Sequence, residues 1–156
     1  MTVDKTGIDL IHSFEGLSLT PYICPAGVPT IGWGNTYYPN GKKVTMKDKA
    51  ITREQADEIF AFVLSLFERD VNSLIKTKLT QNQFSALVSF AYNVGTDIDA
   101  DDVPEGLGDS TLLKNVNANP NDPTIRAEFA KWNKSNGKPL AGLIRRRKME
   151  ADLYFS

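Results

Sequence analysis

The chain contains one cysteine and one histidine in 156 residues. With Cys24 alone no internal disulfide can form, which fits a protein that folds in a reducing compartment. With His12 alone, any Ser-His or Cys-His catalytic pair would have to use this residue, and nothing in the sequence supports such an assembly. The sequence therefore points away from disulfide-stapled scaffolds and from histidine-dependent nucleophilic enzymes.

Long hydrophobic runs are also missing. The longest extends from Ile59 to Phe67 and is interrupted by Ser65, so it is far shorter than the ~20 residues that span a bilayer. The first fourteen residues include three charged side chains, Asp4, Lys5 and Asp9. We therefore expect neither a signal peptide nor a signal anchor, no membrane insertion, and synthesis in the cytosol.

The formal net charge is only -1, but the charges are unevenly distributed. Residues 97–109 carry six acidic side chains and no basic one, whereas residues 110–156 carry nine basic and four acidic side chains. The basic end has two interpretations that stay open: approach to an anionic cell-wall polymer, or a solvated helical surface. Nucleic-acid binding would require a larger basic face and a positive net charge, so we expect none.

The periodicity predicts an α+β fold. The apolar side chains of residues 4–14 have helical spacing, and this helix is expected to stop near Gly16. Residues 21–44 are typical of a small twisted antiparallel sheet with a turn at Asn40-Gly41. Capping boxes at Thr52 and Thr80 predict the starts of two long helices. We predict one domain over 1–156, with a small β-containing lobe at 13–60 and a helical lobe formed by 1–12 and 61–156.

Two shorter helices are predicted in the last third of the chain. Asp122-Pro123 is typical of an N-cap followed by proline at the first helical position, with Ile125, Phe129 and Trp132 then on one face. The last helix contains three apolar side chains, Ile144, Met149 and Leu153, and three consecutive arginines at 145–147. Arg146 has the spacing to pair with Glu150 at i+4.

The most informative pattern is Glu15-x8-Cys24-x5-Thr30. A carboxylic acid can donate a proton, and a thiol and a hydroxyl downstream can hold a water molecule, which is the minimum equipment for splitting a glycosidic bond. Glu15 stands at a helix C-terminus beside Phe14, where the helix dipole and partial burial both favour the protonated acid.

This spacing resembles the catalytic stretch of the phage-type (T4-like) lysozymes, the endolysin family also classed as glycoside hydrolase family 24, which has Asp or Cys at the second position. Further blocks follow in family order: 80–95 resembles the central buried helix, Ser110-Thr111-Leu112-Leu113 the start of the next helix, and Lys131-Trp132-Asn133 with 142–150 the C-terminal signature. The resemblance implies a lysozyme-like fold, with a substrate cleft between the lobes that the helix from residue 53 to about 75 joins.

The resemblance further implies a muramidase that hydrolyses the β-1,4 bond between N-acetylmuramic acid and N-acetylglucosamine in peptidoglycan. Glu15 would be the acid, Cys24 and Thr30 would position the water, and Gly32, Trp132 and Asn133 would contact the substrate. We expect a monomer that needs no cofactor and no metal. It would accumulate in the host cytoplasm and need a holin-like membrane-permeabilising protein to reach the wall in the periplasm, where it would cause lysis.

The role of Cys24 is open at this stage. A thiol with a pKa near ~8.5 is a poor general base, so the favoured hypothesis is that Cys24 and Thr30 mainly orient the water, with help from the thiolate fraction. The alternatives are a covalent thioglycosyl intermediate and a small buried side chain without chemistry. Some relatives hold such a cysteine in a disulfide. This chain has only one cysteine and cannot form such a bond within itself.

Three other features have a plain structural interpretation beside a functional one. Thr30, Gly32 and Gly34 are expected on one open face of a strand, with Ile31 and Trp33 on the core side. His12, one turn before Glu15, is expected to face solvent. The acidic stretch 97–102 alternates like a calcium loop but fails the EF-hand pattern at Asp102 and Gly108, so we expect a solvated loop.

Two functional alternatives remain open on the sequence alone. A lytic transglycosylase would use the acid without a water-holding partner, and the presence of Thr30 argues against it. A peptidoglycan-binding protein on an inactive lysozyme scaffold is supported only by Cys24, which occupies a position where a carboxylate is usual in inverting glycosidases.

Overall fold

In the computed structural model, which describes residues 1–99, 101 and 103–156, the chain begins with helix α1 at Lys5–Glu15. Gly16 ends the helix with a left-handed backbone, φ +66°, and its N–H donates to the His12 carbonyl at 3.2 Å. Glycine adopts this conformation without the steric cost that a Cβ imposes. The predicted stop near Gly16 is confirmed, and it leaves Glu15 as the last residue of α1.

An antiparallel hairpin follows, made of β1 at Ser18–Ile23 and β2 at Pro29–Gly32. Tyr22 lies opposite Thr30, and Ile23 opposite Pro29. The chain then continues through the predicted turn, where the Gly41 N–H donates to the Tyr38 carbonyl at 2.9 Å. The small antiparallel sheet expected in this region is confirmed.

The expected open face of this strand is wrong, because Thr30 is 2% exposed and Gly32 is also buried. Ile31 and Trp33 are buried as predicted, at 0% and 7% exposure. However, Gly32 and Gly34 have φ values of +66° and +78°, so the extended backbone ends at Gly32 and the two glycines do not continue the face of Thr30. A Cβ at Gly32 would lie 3.6 Å from the Cβ of Ala56, in ordinary van der Waals contact, so Gly32 packs beside Ala56.

Helices make up most of the remaining chain. Both predicted capping boxes are present: Gln55 N–H donates to Oγ1 of Thr52, and Gln83 N–H to Oγ1 of Thr80, each at 3.1 Å. The helices in the described residues are α2 at Arg53–Leu74, α3 at Gln81–Val94, α4 at Thr111–Ala118, α5 at Ile125–Ala130 and α6 at Ala141–Tyr154. A short hairpin of β3, Lys134–Ser135, and β4, Lys138–Pro139, precedes α6.

The helix α5 begins at Ile125, two residues after the predicted first position at Pro123. Oδ1 of Asp122 accepts from the N–H and the hydroxyl of Thr124 at 2.8 and 2.7 Å, so Asp122 closes a separate turn ahead of the helix. The side chain satisfies this turn before the helix begins. At the other end, Trp132 lies beyond the last residue of α5.

A buried ion cluster joins α6 to α3. Nε of Arg146 donates to Oε1 of Glu150 at 3.0 Å, as the spacing predicts, and Nε of Arg147 lies 2.8 Å from Oε2. The Ser89 hydroxyl donates to the same carboxylate at 2.8 Å. Because an unpaired buried charge costs several kcal/mol, the two arginines and the glutamate fix how these helices pack.

Contacts along the chain define two units. The β-containing unit is His12–Leu66, and the helical unit combines Met1–Ile11 with Phe67–Ser156. The predicted α+β fold is confirmed, whereas the predicted lobe boundaries at 13–60 and 61–156 stay a prediction. Among the described residues, no helix has the length and hydrophobicity needed to cross a membrane.

Candidate active site

All three residues of the predicted catalytic pattern belong to the β-containing unit. Tyr22 and Thr30 are directly paired across the hairpin, so their side chains share one face of the sheet. Cys24 follows Tyr22 by two residues along the chain, which is the strand period. The hairpin therefore groups the thiol, the Thr30 hydroxyl and the Tyr22 phenol near its turn.

Backbone hydrogen bonds close the hairpin turn at Cys24. Gly27 N–H donates to the Cys24 carbonyl at 2.8 Å, and Cys24 N–H donates to the Val28 carbonyl at 3.0 Å. Pro25 sets the second position of this turn, and Gly27, with φ +79°, provides the left-handed position that closes it. The sulfur stands at the turn position where an aspartate carboxylate ordinarily accepts amide hydrogen bonds.

These hydrogen bonds change the acidity of the thiol. Hydrogen bonding by the Val28 backbone is the largest effect and lowers the pKa of Cys24, while burial opposes it and the Thr30 hydroxyl and Ala26 backbone add to the lowering. The thiol is half-buried. Donors directed at a sulfur stabilise the thiolate more than the thiol, so a larger thiolate fraction exists at neutral pH than for an ordinary cysteine.

Thr30 can supply its proton to only one acceptor at a time. Its hydroxyl donates to the Val28 carbonyl at 2.9 Å, and the same hydroxyl also lowers the pKa of the Cys24 thiol. A hydroxyl has one hydrogen and two lone pairs, so it accepts from the S–H while bonded to Val28 or turns to donate to the thiolate. The side chain is 2% exposed, so the hydroxyl bonds to these partners within the hairpin.

The Glu15 carboxylate lies beside Gly34, which follows β2. A Cβ built at Gly34 would lie 2.6 Å from Oε2 of Glu15, closer than real Cβ contacts come. The carboxylate therefore occupies space that only glycine leaves open. Glu15 also lines an open pocket of about 240 Å³, whose other lining residues are Gly16, Leu17, Ser18 and Tyr22.

Tyr22 is a site residue that the sequence analysis did not identify. Burial, then the charge of Glu15, then the charge of Cys24, raise the pKa of its phenol. The hydroxyl is therefore a neutral hydrogen-bond donor, and its pKa is affected by the charges of both Glu15 and Cys24. Its position two residues before Cys24 on a strand was the available signal, because such residues share a face.

The expectation that His12 faces solvent is wrong. Its ring is stacked on Trp33, with centroids 3.6 Å apart and an interplanar angle of 6°, and it also contacts Phe60 at 4.3 Å. The apolar stripe of α1 is thus continued by an aromatic face of His12, because imidazole can stack on an indole as a flat ring does.

The predicted substrate-contacting residues do not all share a unit. Gly32 belongs to the β-containing unit, and Trp132 and Asn133 to the helical unit. The Trp132 ring packs edge-on against Phe90 at 5.4 Å, and the Asn133 carbonyl accepts from Leu140 N–H at 3.0 Å. Their contact with substrate stays a prediction.

The acidic segment has a structural use in the helical unit. Oδ2 of Asp97 accepts from the N–H groups of Glu105, Gly106 and Asp109 at 3.0, 3.0 and 3.4 Å. Asp97, Asp99 and Asp109 bring carboxylate oxygens within 4.8 Å of one another. Of the predicted calcium-like stretch, Ala100 and Asp102 lie outside the described residues. Since Asp97 already accepts three amides, its carboxylate holds the loop together.

The fold of this chain is that of the lysozymes found in bacteriophages. The structure of an endolysin from Escherichia coli O157:H7 phage FAHEc1 matches it with a TM-score of 0.85 and 39% identity, covering 100% of this chain and 94% of that one. The crystal structure of a point mutant of P22 lysozyme matches with a TM-score of 0.80 and 30% identity, covering 100% of this chain and 99% of that one.

The family follows from the sequence itself. The model of the phage lysozyme family matches residues 12–150, and the chain belongs to this family, as its motifs predicted. An endolysin of Bacillus phage PZA is 39% identical over 161 residues. The match covers 100% of this chain but 56% of that endolysin, so the chain spans about half the length of this relative.

Replacing Gly34 by alanine tests the contact with Glu15. The new Cβ would lie 2.6 Å from Oε2 and must displace the carboxylate. Because a misplacement of about 1 Å costs on the order of 100-fold in rate, we expect clearing of purified peptidoglycan to slow by at least about tenfold. Gly41→Ala is the matched control, since Gly41 has φ +83° with no atom within 4 Å of the built Cβ. Equal loss of activity in both variants would contradict the contact.

The acidity of Cys24 is measurable by alkylation, because this is the only cysteine. We expect the iodoacetamide rate of the folded protein to rise at lower pH than that of the urea-unfolded chain, since folding lowers the thiol pKa. The midpoint should move upward in Thr30→Val. A lowered pKa stabilises the fold above the unfolded thiol pKa, and this contribution is lost as pH falls through the folded pKa. Coincident folded and unfolded midpoints would refute this.

Proposed function

We propose that the chain is an endolysin-type muramidase that hydrolyses the β-1,4 bond between N-acetylmuramic acid and N-acetylglucosamine in bacterial peptidoglycan. One observation carries the proposal: the β-containing unit combines a carboxylic acid at an open pocket with a thiol and a hydroxyl on the neighbouring hairpin. Tyr22 connects the two, because its phenol responds to the charges of both Glu15 and Cys24. Membership of the phage lysozyme family supports the same reaction.

Glu15 is the proposed general acid. It donates its proton to the glycosidic oxygen as the bond to the anomeric carbon breaks, and positive charge then develops on the sugar ring. The absence of a side chain at Gly34 leaves room for the carboxyl group beside the pocket. Such positioning lowers the barrier because proton donation requires heavy atoms about 3 Å apart.

Cys24 and Thr30 are proposed to hold the attacking water. A sulfur with a lowered pKa accepts a hydrogen bond from that water and takes its proton in the fraction of molecules that carry a thiolate. The Thr30 hydroxyl supplies a second contact, since its rotation changes it from acceptor to donor. This arrangement replaces the carboxylate base that inverting glycosidases generally use.

Lysis of the host cell is the proposed consequence of this reaction. Cleavage of the glycan strands removes the support that the wall gives against turgor. We further propose that the protein is made in the host cytoplasm and reaches the wall through a holin-like membrane-permeabilising protein. Expression with and without such a protein, followed by culture turbidity, separates this route from self-release.

The role of Glu15 is tested with purified Gram-negative peptidoglycan. We expect Glu15→Gln to lose at least about 1,000-fold in clearing, because the amide keeps the shape but cannot donate the proton. Glu58→Gln is the matched control, since Glu58 is an exposed glutamate of the same unit. Mass spectrometry of the wild-type products should find reducing muramic acid ends.

Other outcomes identify other functions. Anhydro-muramic ends would identify a lytic transglycosylase and would exclude the water-holding role of Thr30. Failure of the wild type to clear, together with co-sedimentation on the same peptidoglycan, would identify a binding protein. Full activity in Glu15→Gln would exclude Glu15 as the acid.

The role of Cys24 is tested by three substitutions. Cys24→Ala removes both the base and the water contact, and we expect about a 100-fold fall in turnover. Cys24→Ser keeps a water contact without an easily formed anion, so a fall of about tenfold is expected if water orientation dominates. Cys24→Asp should stay within about tenfold of wild type, because a carboxylate accepts the same turn amides. A Cys24→Ala variant with nearly full turnover would exclude the proposed role.

A further inference from the structure

The ring of His12 lies in an aromatic cluster that the proposed chemistry does not use. It is parallel to Trp33, with centroids 3.6 Å apart, and tilted by 58° against Phe60 at 4.3 Å. Trp33 and Phe60 are 7% and 4% exposed, so two of the three rings are buried. His12 therefore contributes packing area to the interior of the β-containing unit.

Trp33 is fixed from other directions as well. Its indole Nε1 donates to Oδ1 of Asp57 at 2.8 Å. The guanidinium of Arg53 lies 5.3 Å from the indole centroid, within range of a cation–π contact. Since both partners lie on the first turns of α2, Trp33 has little freedom to turn or slide.

The His12–Trp33 stack lies next to the place where the Glu15 carboxylate approaches Gly34. His12 and Glu15 are three residues apart on α1, which places them on neighbouring positions of one helix face. Trp33 and Gly34 are consecutive. The end of α1 and the residues after β2 therefore approach each other at two points. His12 stacks on Trp33, and the Glu15 carboxylate lies beside Gly34.

We propose that His12 is a positioning residue: through its stack on Trp33 it fixes the last turn of α1 against Gly34 and so sets the place of the Glu15 carboxyl group. The inference rests on the proposed role of Glu15. The flat surface of the ring carries out this role, because a parallel stack at 3.6 Å uses the face of the imidazole. A proton on the ring is not required.

Loss of the His12 ring is expected to slow catalysis, because the ring positions the turn that carries Glu15. Without the ring, the final turn of α1 loses its stack on Trp33. The carboxyl group then samples positions away from the pocket, and a displacement of about 1 Å costs on the order of 100-fold in rate. The proposal therefore predicts a fall in the turnover number with little change in KM.

A pair of variants separates the ring from the proton. His12→Phe keeps a flat ring, and we expect its kcat within about threefold of wild type with an unchanged pH–rate profile. His12→Gln keeps polarity but removes the ring, and we expect kcat to fall at least about tenfold with KM within about twofold. Both are measured on soluble peptidoglycan fragments, well below the unfolding temperature of each variant.

The opposite pattern overturns the proposal. A kcat for His12→Gln within threefold of wild type would show that the stack does not position the acid. Equal losses in both variants after correction for the folded fraction would show general packing only. Loss of one limb of the pH–rate profile in His12→Phe would show that His12 carries a proton.

A spectroscopic measurement separates this inference from the proposed function. The ¹³C carboxyl resonance of Glu15, assigned by its absence in Glu15→Gln, reports the surroundings of that group without any turnover. We expect it to shift in His12→Gln and to stay in place in His12→Phe. If Glu15→Gln is fully active, the proposed function of Glu15 is wrong, but the resonance shift still tests the positioning by His12. If the resonance is unchanged in His12→Gln, the positioning by His12 is wrong, but Glu15 can still be the acid.

Discussion

The proposed chemistry depends on the place of the Glu15 carboxylate beside Gly34. A Cβ at Gly34 would lie 2.6 Å from the carboxylate oxygen, so a larger residue there would displace the carboxylate. The contact in turn depends on the end of α1 at Gly16 and on Trp33, which is fixed by His12 and Asp57. A proton donor placed in this way is preorganised for a bond at the pocket, so its position is set by folding before substrate arrives.

In the proposed reaction, the hairpin turn stabilises the group that holds the water. A carboxylate at the position of Cys24 would be ionised at neutral pH without help, whereas a thiol needs its charge stabilised. The turn supplies that stabilisation through the Val28 backbone and the Thr30 hydroxyl, which lower the pKa of Cys24. The same backbone geometry that suits an aspartate in a turn therefore suits a thiolate, and the exchange of one for the other requires no new fold.

Local signals in the sequence were enough for most of the fold. The capping boxes at Thr52 and Thr80 and the stop at Gly16 are decided by neighbouring residues, and all three were predicted correctly. The errors arose where tertiary contacts decide. His12 was expected in solvent because its partner Trp33 is 21 positions away, and the alternation through Gly34 was expected to continue because positive φ angles are not visible in a strand-like pattern. The place of Tyr22 beside Cys24 was predictable from the strand period, whereas its relation to Glu15 exists only after folding.

In the proposed mechanism, water held by Cys24 and Thr30 attacks the sugar on the face opposite the proton donor. The anomeric configuration of the newly formed reducing end measures this directly, by ¹H NMR in the first minutes of hydrolysis of a soluble peptidoglycan oligosaccharide. We expect the α-anomer to form first from the β-1,4 bond, because a single displacement by water inverts the configuration. Initial formation of the β-anomer would contradict it and would indicate a covalent intermediate on the sulfur of Cys24.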